Sequence, residues 1–166
     1  FLETAKRMHA EFGDRVSFAA VGYAEGAYEE KAKEAKQEGI LKLIPYQNDI
    51  RPYYREADAV VMPSYHEGMS NVLMEASATA RPVLASNISG CREIVEEGKS
   101  GFLFENESAQ ALYEACLRFF HLDEESRRQM GLAARKKVER EFDRDRIIDV
   151  YMDEIFRAIH RKADRR

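Results

Sequence analysis

Two glutamates with seven residues between them, Glu67 and Glu75, are the side chains whose type and spacing most suggest chemistry. Gly68 follows the first glutamate, and a glycine lets the backbone approach a ligand closely. The amides from Met69 to Val72 would be the unpaired donors in the first turn of a following helix. Such donors form an anion site, and this one is well suited to a diphosphate.

Carboxylates beside an anion site are electrostatically unusual, because both repel the anion. They are tolerated there if they accept hydrogen bonds from hydroxyl groups, such as those of a sugar or a ribose. We expect Glu67 in the loop before the helix and Glu75 a little over two turns along it, on the same side as Asn71. The spacing therefore predicts a ligand that carries both an anionic group and hydroxyl groups.

The elements that must position these residues alternate between strands and helices. Short apolar runs predict five strands, at Val16–Val21, Ile40–Ile44, Ala57–Met62, Pro82–Ala85 and Phe102–Phe104. Apolar residues at helical spacing predict helices at Phe1–Phe12, Ala24–Lys36, Asp49–Arg55, Ser70–Thr79, Arg92–Glu96, Ala109–Phe120, Glu124–Glu141 and Asp145–Ala163. Apolar strands that alternate with helices are typical of a parallel sheet covered on both faces. We therefore predict an α/β fold, a Rossmann-like three-layer domain with a helical carboxyl terminus.

The loop that carries Glu67 follows the third predicted strand, Ala57–Met62. This strand is the most apolar of the five, and we expect it to be the most buried. In open parallel sheets, ligands bind beyond the carboxyl ends of the strands. The predicted anion site therefore lies where this class of fold binds its ligands.

Composition excludes several classes of protein. The chain has 166 residues, of which 45% are hydrophobic and 34% charged, as in a globular domain. Its net charge of −4 lacks the basic character of a nucleic-acid binder. No apolar run approaches the roughly 18 residues that a membrane span requires. The two cysteines form no disulfide framework and no zinc motif, which fits a cytoplasmic protein.

Common catalytic motifs of other enzyme classes do not occur in the sequence. It has no dinucleotide-binding glycine motif, no Walker phosphate loop, no serine-hydrolase elbow and no zincin motif. His66 has no evident partner, and we interpret it as a solvated loop residue. Cys91 lies at a predicted helix start, where thiols can become acidic, and we expect it to be an inert thiol.

From Glu67 to Glu75 the sequence matches the Glu-x7-Glu motif of the retaining nucleotide-sugar glycosyltransferases of family four, which have the GT-B fold. The resemblance covers essentially the whole chain. Further segments that resemble the carboxyl-terminal domain of that family are Tyr54-x3-Ala57-Asp58, Ala80-Arg81-Pro82-Val83, Gly90-Cys91-Arg92-Glu93-Ile94-Val95 and Gly98-x2-Gly101-Phe102. Within the family, the sequence is most similar to enzymes that build bacterial capsular polysaccharides, exopolysaccharides or lipid-linked oligosaccharides.

The resemblance implies a role for each residue of the motif. Glu75 would accept hydrogen bonds from the ribose hydroxyls of the donor nucleotide, and Glu67, at the catalytic centre, would hold a hydroxyl of the donor sugar. Tyr46 lies in the loop against which the base would pack. The backbone that would contact the sugar and the diphosphate belongs to Gly68, Met69, Ser70, Asn71 and Val72. The family requires no metal at the diphosphate, so the resemblance implies no cofactor.

The resemblance also implies that residues 1–166 are one nucleotide-sugar-binding domain, truncated at its amino terminus. The family's first strand, its phosphate-clamping Arg and Lys, and its acceptor-binding domain would all precede Phe1. The full-length enzyme would transfer a hexosyl or N-acetylhexosaminyl group, from a donor expected to be UDP-linked, to a growing glycan or a lipid-linked acceptor. It would be cytoplasmic, and a lipid-linked acceptor would fit association with the inner face of the membrane. The fragment alone is expected to be inactive.

Two alternatives remain open at this point. One is a GT-B enzyme similar to UDP-sugar 2-epimerases, although the flanking segments resemble family four more closely. The other is a non-catalytic nucleotide- or sugar-binding module built on a parallel sheet. A signalling receiver domain ranks third, because its acidic phosphoacceptor cluster is not found at the predicted strand ends.

Overall fold

A computed structural model describes residues 1–23 and 26–163. Strands and helices alternate along most of the chain, and three helices end it, as the sequence predicts. The elements are α1 (Leu2–Phe12), β1 (Phe18–Val21), α2 (Ala27–Gln37), β2 (Leu41–Ile44), α3 (Arg51–Glu56), β3 (Val60–Met62), α4 (Asn71–Ala78), β4 (Val83–Ser86), α5 (Ser89–Arg92), β5 (Gly101–Phe104), α6 (Ala109–Phe120), α7 (Glu124–Glu141) and α8 (Arg144–Ala163). The predicted helix start at Ala24 and the last residues of the basic end, 164–166, lie outside the described residues.

All strand pairs among the described residues are parallel, which confirms the predicted α/β class. The strands nevertheless form two hydrogen-bonded sheets where the sequence suggested one: β1 pairs with β2, and β3, β4 and β5 pair in that order. Phe18 of β1 and Val61 of β3 pack against the same apolar cluster, so the two sheets share a core. In the described residues, β1 and β3 each leave one backbone edge without a strand partner.

Helices cover both faces of the three-stranded sheet, which confirms the three-layer architecture. On one face, Leu84 and Phe102 pack against Leu112 of α6 and Met130 of α7. On the other face, Val83 and Ala85 pack with further buried side chains, which are Tyr54, Leu73, Ala76, Cys91, Ile94, Val95 and Val138. Alternate residues of one strand therefore point into two separate cores.

The expectation that the third strand is the most buried is wrong. All three residues of β3 are half-buried, whereas all four residues of β4 are buried. The reason is position in the sheet: β4 has a strand on either side, while β3 lies at an edge. Apolar composition alone does not distinguish a central strand from an edge strand that packs on helices.

Gly131 of α7 allows a close helix approach behind the site. A Cβ atom at Gly131 would lie 2.1 Å from the carbonyl oxygen of Ala80, directly after α4, so only glycine fits there. This contact fixes the carboxyl-terminal end of α4 against α7. It therefore contributes to the orientation of the helix that carries Glu75.

The long helix α8 exposes apolar side chains along its length, including Ile148, Tyr151, Ile155 and Ile159. These positions recur at three- and four-residue spacing, so they form one stripe. Within residues 1–23 and 26–163, no helix has the length and apolar character needed to span a membrane.

Candidate functional site

The amino terminus of α4 is built by a buried serine. Ser70 is the N-cap, is only 1% exposed, and its Oγ accepts a hydrogen bond from the amide of Leu73 at 3.4 Å. The first backbone bond of the helix runs from the Met74 amide to the Ser70 carbonyl at 3.1 Å. The amides of Asn71 and Val72 precede that bond and face the loop, as the anion-site hypothesis requires. The Ser70 hydroxyl is committed to capping, so this residue offers a ligand its backbone.

One side of the loop before α4 is exposed to solvent, and the other side packs closely against α5. Gly68 and Met69 are exposed, and a Cβ atom at Gly68 would meet no atom within 4 Å. On the underside, a Cβ atom at Gly90 of α5 would lie 2.3 Å from the Gly68 carbonyl oxygen and 2.8 Å from the Glu67 carbonyl oxygen. The missing side chain of Gly90 is therefore what allows α5 to support this loop. From the sequence, Gly90 was known only as part of a segment that resembles the family-four domain, with no predicted role of its own.

Glu67 is half-buried and held by its own loop. The hydroxyl of Ser64 donates a hydrogen bond to Glu67 Oε1 at 2.8 Å. This bond restricts the carboxylate to one orientation. Sequence reasoning missed Ser64, although a hydroxyl three residues before a loop carboxylate is a recognisable turn signal.

The carboxylate of Glu67 also faces the loop after β4. Burial first, and the nearby carboxylates of Glu67 and Glu93 in addition, raise the pKa of the Cys91 thiol to about 11. Cys91 therefore stays a neutral thiol, in agreement with the expectation that it is inert. Glu93 in turn accepts a hydrogen bond from the Ser89 hydroxyl at 3.2 Å.

Glu75 is exposed on α4, and a buried tyrosine orients it. The hydroxyl of Tyr54 in α3 donates to Glu75 Oε2 at 3.1 Å, while the Tyr54 residue as a whole is 5% exposed. Desolvation raises the pKa of Tyr54, and the hydrogen bond to the Glu75 carboxylate raises it further. The phenol is therefore a neutral, permanent donor. It leaves the second oxygen of Glu75 available to a ligand.

A cavity of about 400 Å³ opens beside Glu75, a volume within the range of small-molecule sites. The loop before α3 forms one wall and the outer side of α4 the other. The lining residues include Asn48, Asp49, Arg51, Tyr54, Glu75 and Thr79. Among the described residues, Glu67 and Tyr46 do not line this cavity, so only part of the predicted site faces it.

An ion pair fixes the mouth of this cavity. The Arg51 guanidinium donates to both carboxylate oxygens of Asp49, at 2.8 and 2.9 Å, and the Arg51 amide donates to Oδ1 at 3.1 Å. These bonds lower the pKa of Asp49 to about 2. The predicted helix start at Asp49 is wrong by two residues: α3 begins at Arg51 with Ile50 as its N-cap, and Asp49 lies one residue before the cap. Asp49 still accepts the Arg51 amide, and Arg51 brings a cation to the rim.

Tyr46 follows β2 and is 60% exposed. Its ring lies nearly parallel to that of Tyr23, which follows β1, with 7° between the planes and 6.2 Å between the centroids. Sequence reasoning selected Tyr46 and missed Tyr23. The two tyrosines come from adjacent parallel strands, and only the strand pairing brings them together.

Among the residues that the structure describes, no group of three or more His, Cys, Asp or Glu side chains is arranged to hold a metal ion. The site offers amides, carboxylates, hydroxyls and aromatic rings. Helix-start amides can bind phosphate groups, and carboxylates can accept hydrogen bonds from the hydroxyls of a ligand.

Comparison with known proteins identifies the family. The model of the family described as glycosyl transferases group 1 matches residues 1–121. The amylovoran biosynthesis glycosyltransferase AmsK of Erwinia amylovora is 36% identical over 151 residues, which cover 84% of this chain and 36% of that protein. The capsular polysaccharide biosynthesis glycosyltransferase CapM of Staphylococcus aureus is 33% identical over 100 residues, or 60% of this chain and 26% of that protein.

The fold agrees with that assignment. The crystal structure of HepE from Anabaena in complex with UDP and glucose superposes with a TM-score of 0.78 over 92% of this chain and 44% of that one, at 23% identity. The chain spans about a quarter to a third of the length of AmsK and CapM. Its parallel strands and helical end match the Rossmann-like carboxyl-terminal domain of GT-B enzymes. The chain belongs to the glycosyl transferases group 1 family.

Proposed function

We propose that this chain is the donor-binding domain of a retaining glycosyltransferase that uses a nucleotide diphosphate sugar. The observation that carries the proposal is the setting of Glu75, which the buried Tyr54 hydroxyl orients at the rim of a cavity large enough for a nucleoside. The amides of Asn71 and Val72 lie about one turn earlier on the same helix, roughly 5 Å along its axis. One helix thus presents groups for both parts of the donor.

In this proposal, each part of the donor has its own contacts. Glu75 accepts hydrogen bonds from the ribose hydroxyls, and the first turn of α4 receives the diphosphate. The loop of Gly68 and Met69 contacts the sugar. Glu67, held by Ser64, accepts a hydrogen bond from a hydroxyl of the donor sugar and is the residue nearest the reacting carbon.

The catalytic contribution of this domain would be electrostatic. As the bond between sugar and phosphate breaks, negative charge grows on the leaving diphosphate, and preorganised amides at a helix start stabilise it. Sugar transfer would take place at a cleft with an acceptor-binding domain outside this chain. Closure of that cleft would exclude water and limit hydrolysis of the donor.

A UDP-linked sugar is the proposed donor, and a growing glycan or a lipid-linked sugar the proposed acceptor. HepE was crystallised with UDP and glucose, and AmsK and CapM are named for polysaccharide biosynthesis, which supports this choice. No metal ion is proposed for donor binding. A lipid-linked acceptor would place the full-length protein at the inner face of the membrane.

We also propose that a further parallel strand, outside this chain, joins the two sheets in the full-length protein. The doubly wound order places one strand between the positions that β1 and β3 occupy. The backbone edges of β1 and β3 that have no strand partner among the described residues support this, because an added strand would pair with both. Extension of the chain upstream should then slow hydrogen exchange at the Val61 amide, and unchanged exchange would contradict the added strand.

The donor-site proposal is tested by titrating the chain with UDP, GDP and ADP in parallel and following backbone amide chemical shifts. We expect UDP to shift the amides of Asn71, Val72 and Glu75, and we expect Glu75→Ala to weaken the UDP binding that those shifts report. Selective shifts with GDP or ADP would mean that the donor carries a different base, and the donor-binding role would stand. An unchanged UDP affinity in Glu75→Ala would remove this carboxylate from the site.

A further inference from the structure

Two exposed tyrosines form an aromatic pair at the carboxyl edge of the two-stranded sheet. Residues Val21 and Ile44 are partners in the parallel register of β1 and β2, so the chain leaves both strands at the same edge. Tyr23 follows two residues after Val21, and Tyr46 two residues after Ile44. Their rings are 7° from parallel, with centroids 6.2 Å apart.

The pair has a large accessible aromatic surface. Tyr23 is 80% exposed and Tyr46 is 60% exposed, so each ring keeps a free face although the two rings contact each other. Flat aromatic faces presented to water bind flat partners, because stacking removes apolar surface and aligns complementary quadrupoles. A nucleobase is such a partner, and stacking tolerates any base since all have a π-face.

The position of the pair relative to the cavity determines which flat group can reach it. Asn48, two residues after Tyr46, begins the cavity wall that ends at Glu75. The loop that follows β2 thus continues into the cavity wall, and we take the base of a ribose held by Glu75 to extend toward this loop. Tyr46 lies in that loop, and Tyr23 extends the aromatic surface beyond it.

We infer that Tyr23 is a further donor-binding residue, which together with Tyr46 forms a stacking platform for the nucleobase. The inference rests on the proposed donor-binding function and adds a specific contact to it. The platform holds the base, while Glu75 holds the ribose. It supplies affinity through stacking, and the hydrogen bonds at the cavity supply orientation.

The test measures UDP affinity of the chain by amide chemical-shift titration for Tyr23→Leu, Tyr23→Phe and a control, Tyr151→Leu. Tyr151 is a similarly exposed tyrosine on α8, so its replacement reproduces the loss of a surface ring away from the site. We expect Tyr23→Leu to weaken UDP binding about tenfold, as loss of one base–aromatic stack does, and Tyr23→Phe and Tyr151→Leu to stay within about twofold of the unmodified chain.

A second readout separates stacking from a structural effect. In the unmodified chain, UDP should move the ring proton resonances of Tyr23 upfield, because a stacked base shields them; the resonances are assigned by their loss in Tyr23→Leu. Glucose alone should leave them in place. Ring shifts with glucose but not with UDP would assign the pair to a sugar ring and overturn the inference.

The outcomes also distinguish this inference from the function on which it rests. If Tyr23→Leu binds UDP as the unmodified chain does, while Glu75→Ala binds it more weakly, the platform is refuted and the donor site stands. If no nucleotide shifts any resonance of the unmodified chain, the donor-binding function is refuted and the platform with it.

Discussion

Replacing Tyr54 with Phe removes a single hydroxyl group, the one that donates to Glu75 Oε2 at 3.1 Å. The ring itself stays, and it continues to pack with Leu73, Val83 and Ile94 in the core. Glu75 is exposed, so water can solvate the oxygen that loses its donor. The folded chain should therefore lose less than about 1 kcal/mol of stability, a typical net value for one hydrogen bond.

The effect on nucleotide binding follows from the role of the hydroxyl as an orienting group. Without it, the Glu75 side chain samples several rotamers and must be ordered again when the ribose binds. A hydrogen bond to a charged group contributes about 1.5–3 kcal/mol when it is buried, and the exposure of Glu75 lowers this to about 1 kcal/mol. That loss corresponds to an approximately fivefold increase in the dissociation constant of UDP.

A double-mutant cycle tests whether the two residues act together. The four proteins are the unmodified chain, Tyr54→Phe, Glu75→Ala and the double variant, and the measured quantity is the UDP dissociation constant from chemical-shift titration. Glu75→Ala should cost roughly 1–3 kcal/mol of binding energy. In the Glu75→Ala background, which has no acceptor for the Tyr54 hydroxyl, Tyr54→Phe should cost almost nothing, so the coupling energy should be about 1 kcal/mol.

Additive losses in this cycle would refute the reasoning. They would mean that the Tyr54 hydroxyl affects binding through some path other than Glu75. Urea unfolding of all four proteins supplies the control, because equal m-values show that each variant unfolds from the same compact state.

Four further substitutions probe the loops and helices around the site. Gly90→Ala places a methyl group 2.3 Å from a carbonyl oxygen of the donor loop, so it should cost about 1–3 kcal/mol of stability and weaken UDP binding. Gly131→Ala creates a similar backbone clash at the far end of α4; in urea unfolding it should destabilise comparably, with a smaller loss of UDP affinity than Gly90→Ala causes. Ser64→Ala frees Glu67, so calorimetry should show weaker binding of UDP-glucose and unaltered binding of UDP; equal losses for both would contradict the placement of Glu67 beside the sugar. Cys91 is fully buried with a pKa of about 11, above the ordinary 9.0, so a thiol reagent at neutral pH should modify it only after unfolding. The folded state holds this proton more tightly than the unfolded state. The contribution of the thiol to the free energy of unfolding is therefore complete below pH 9 and is lost as the pH rises toward 11. Urea unfolding at pH 8 and pH 10 should show a smaller loss of stability for Cys91→Ala than for the unmodified chain.

The order of the elements, and the placement of Glu67 in a loop and Glu75 on the helix after it, could be predicted from the sequence because both depend on local patterns. Apolar runs define strands such as Leu41–Ile44. The Glu67 loop ends at Ser70, and serine is a residue type that commonly caps helices. The relative burial of β3 and β4 could not be predicted in this way, since it depends on which strand has neighbours on both sides.

The contacts that orient the site residues were beyond sequence reasoning for a related reason. Tyr54 and Glu75 are 21 residues apart. Gly90 belongs to α5, whereas the Gly68 carbonyl that it supports belongs to the loop before α4. Each pair is brought together by packing, and neither partner shows a spacing that indicates the other. Tyr23 belongs to the same group, because its partner Tyr46 follows a different strand.

The most direct test of the donor-site account is a crystal structure of the chain grown with UDP. The account predicts the ribose hydroxyls within hydrogen-bond distance of the Glu75 carboxylate and the diphosphate at the amides of Asn71 and Val72. A well-ordered nucleotide at another surface, with the Glu75 cavity filled only by water, would contradict it.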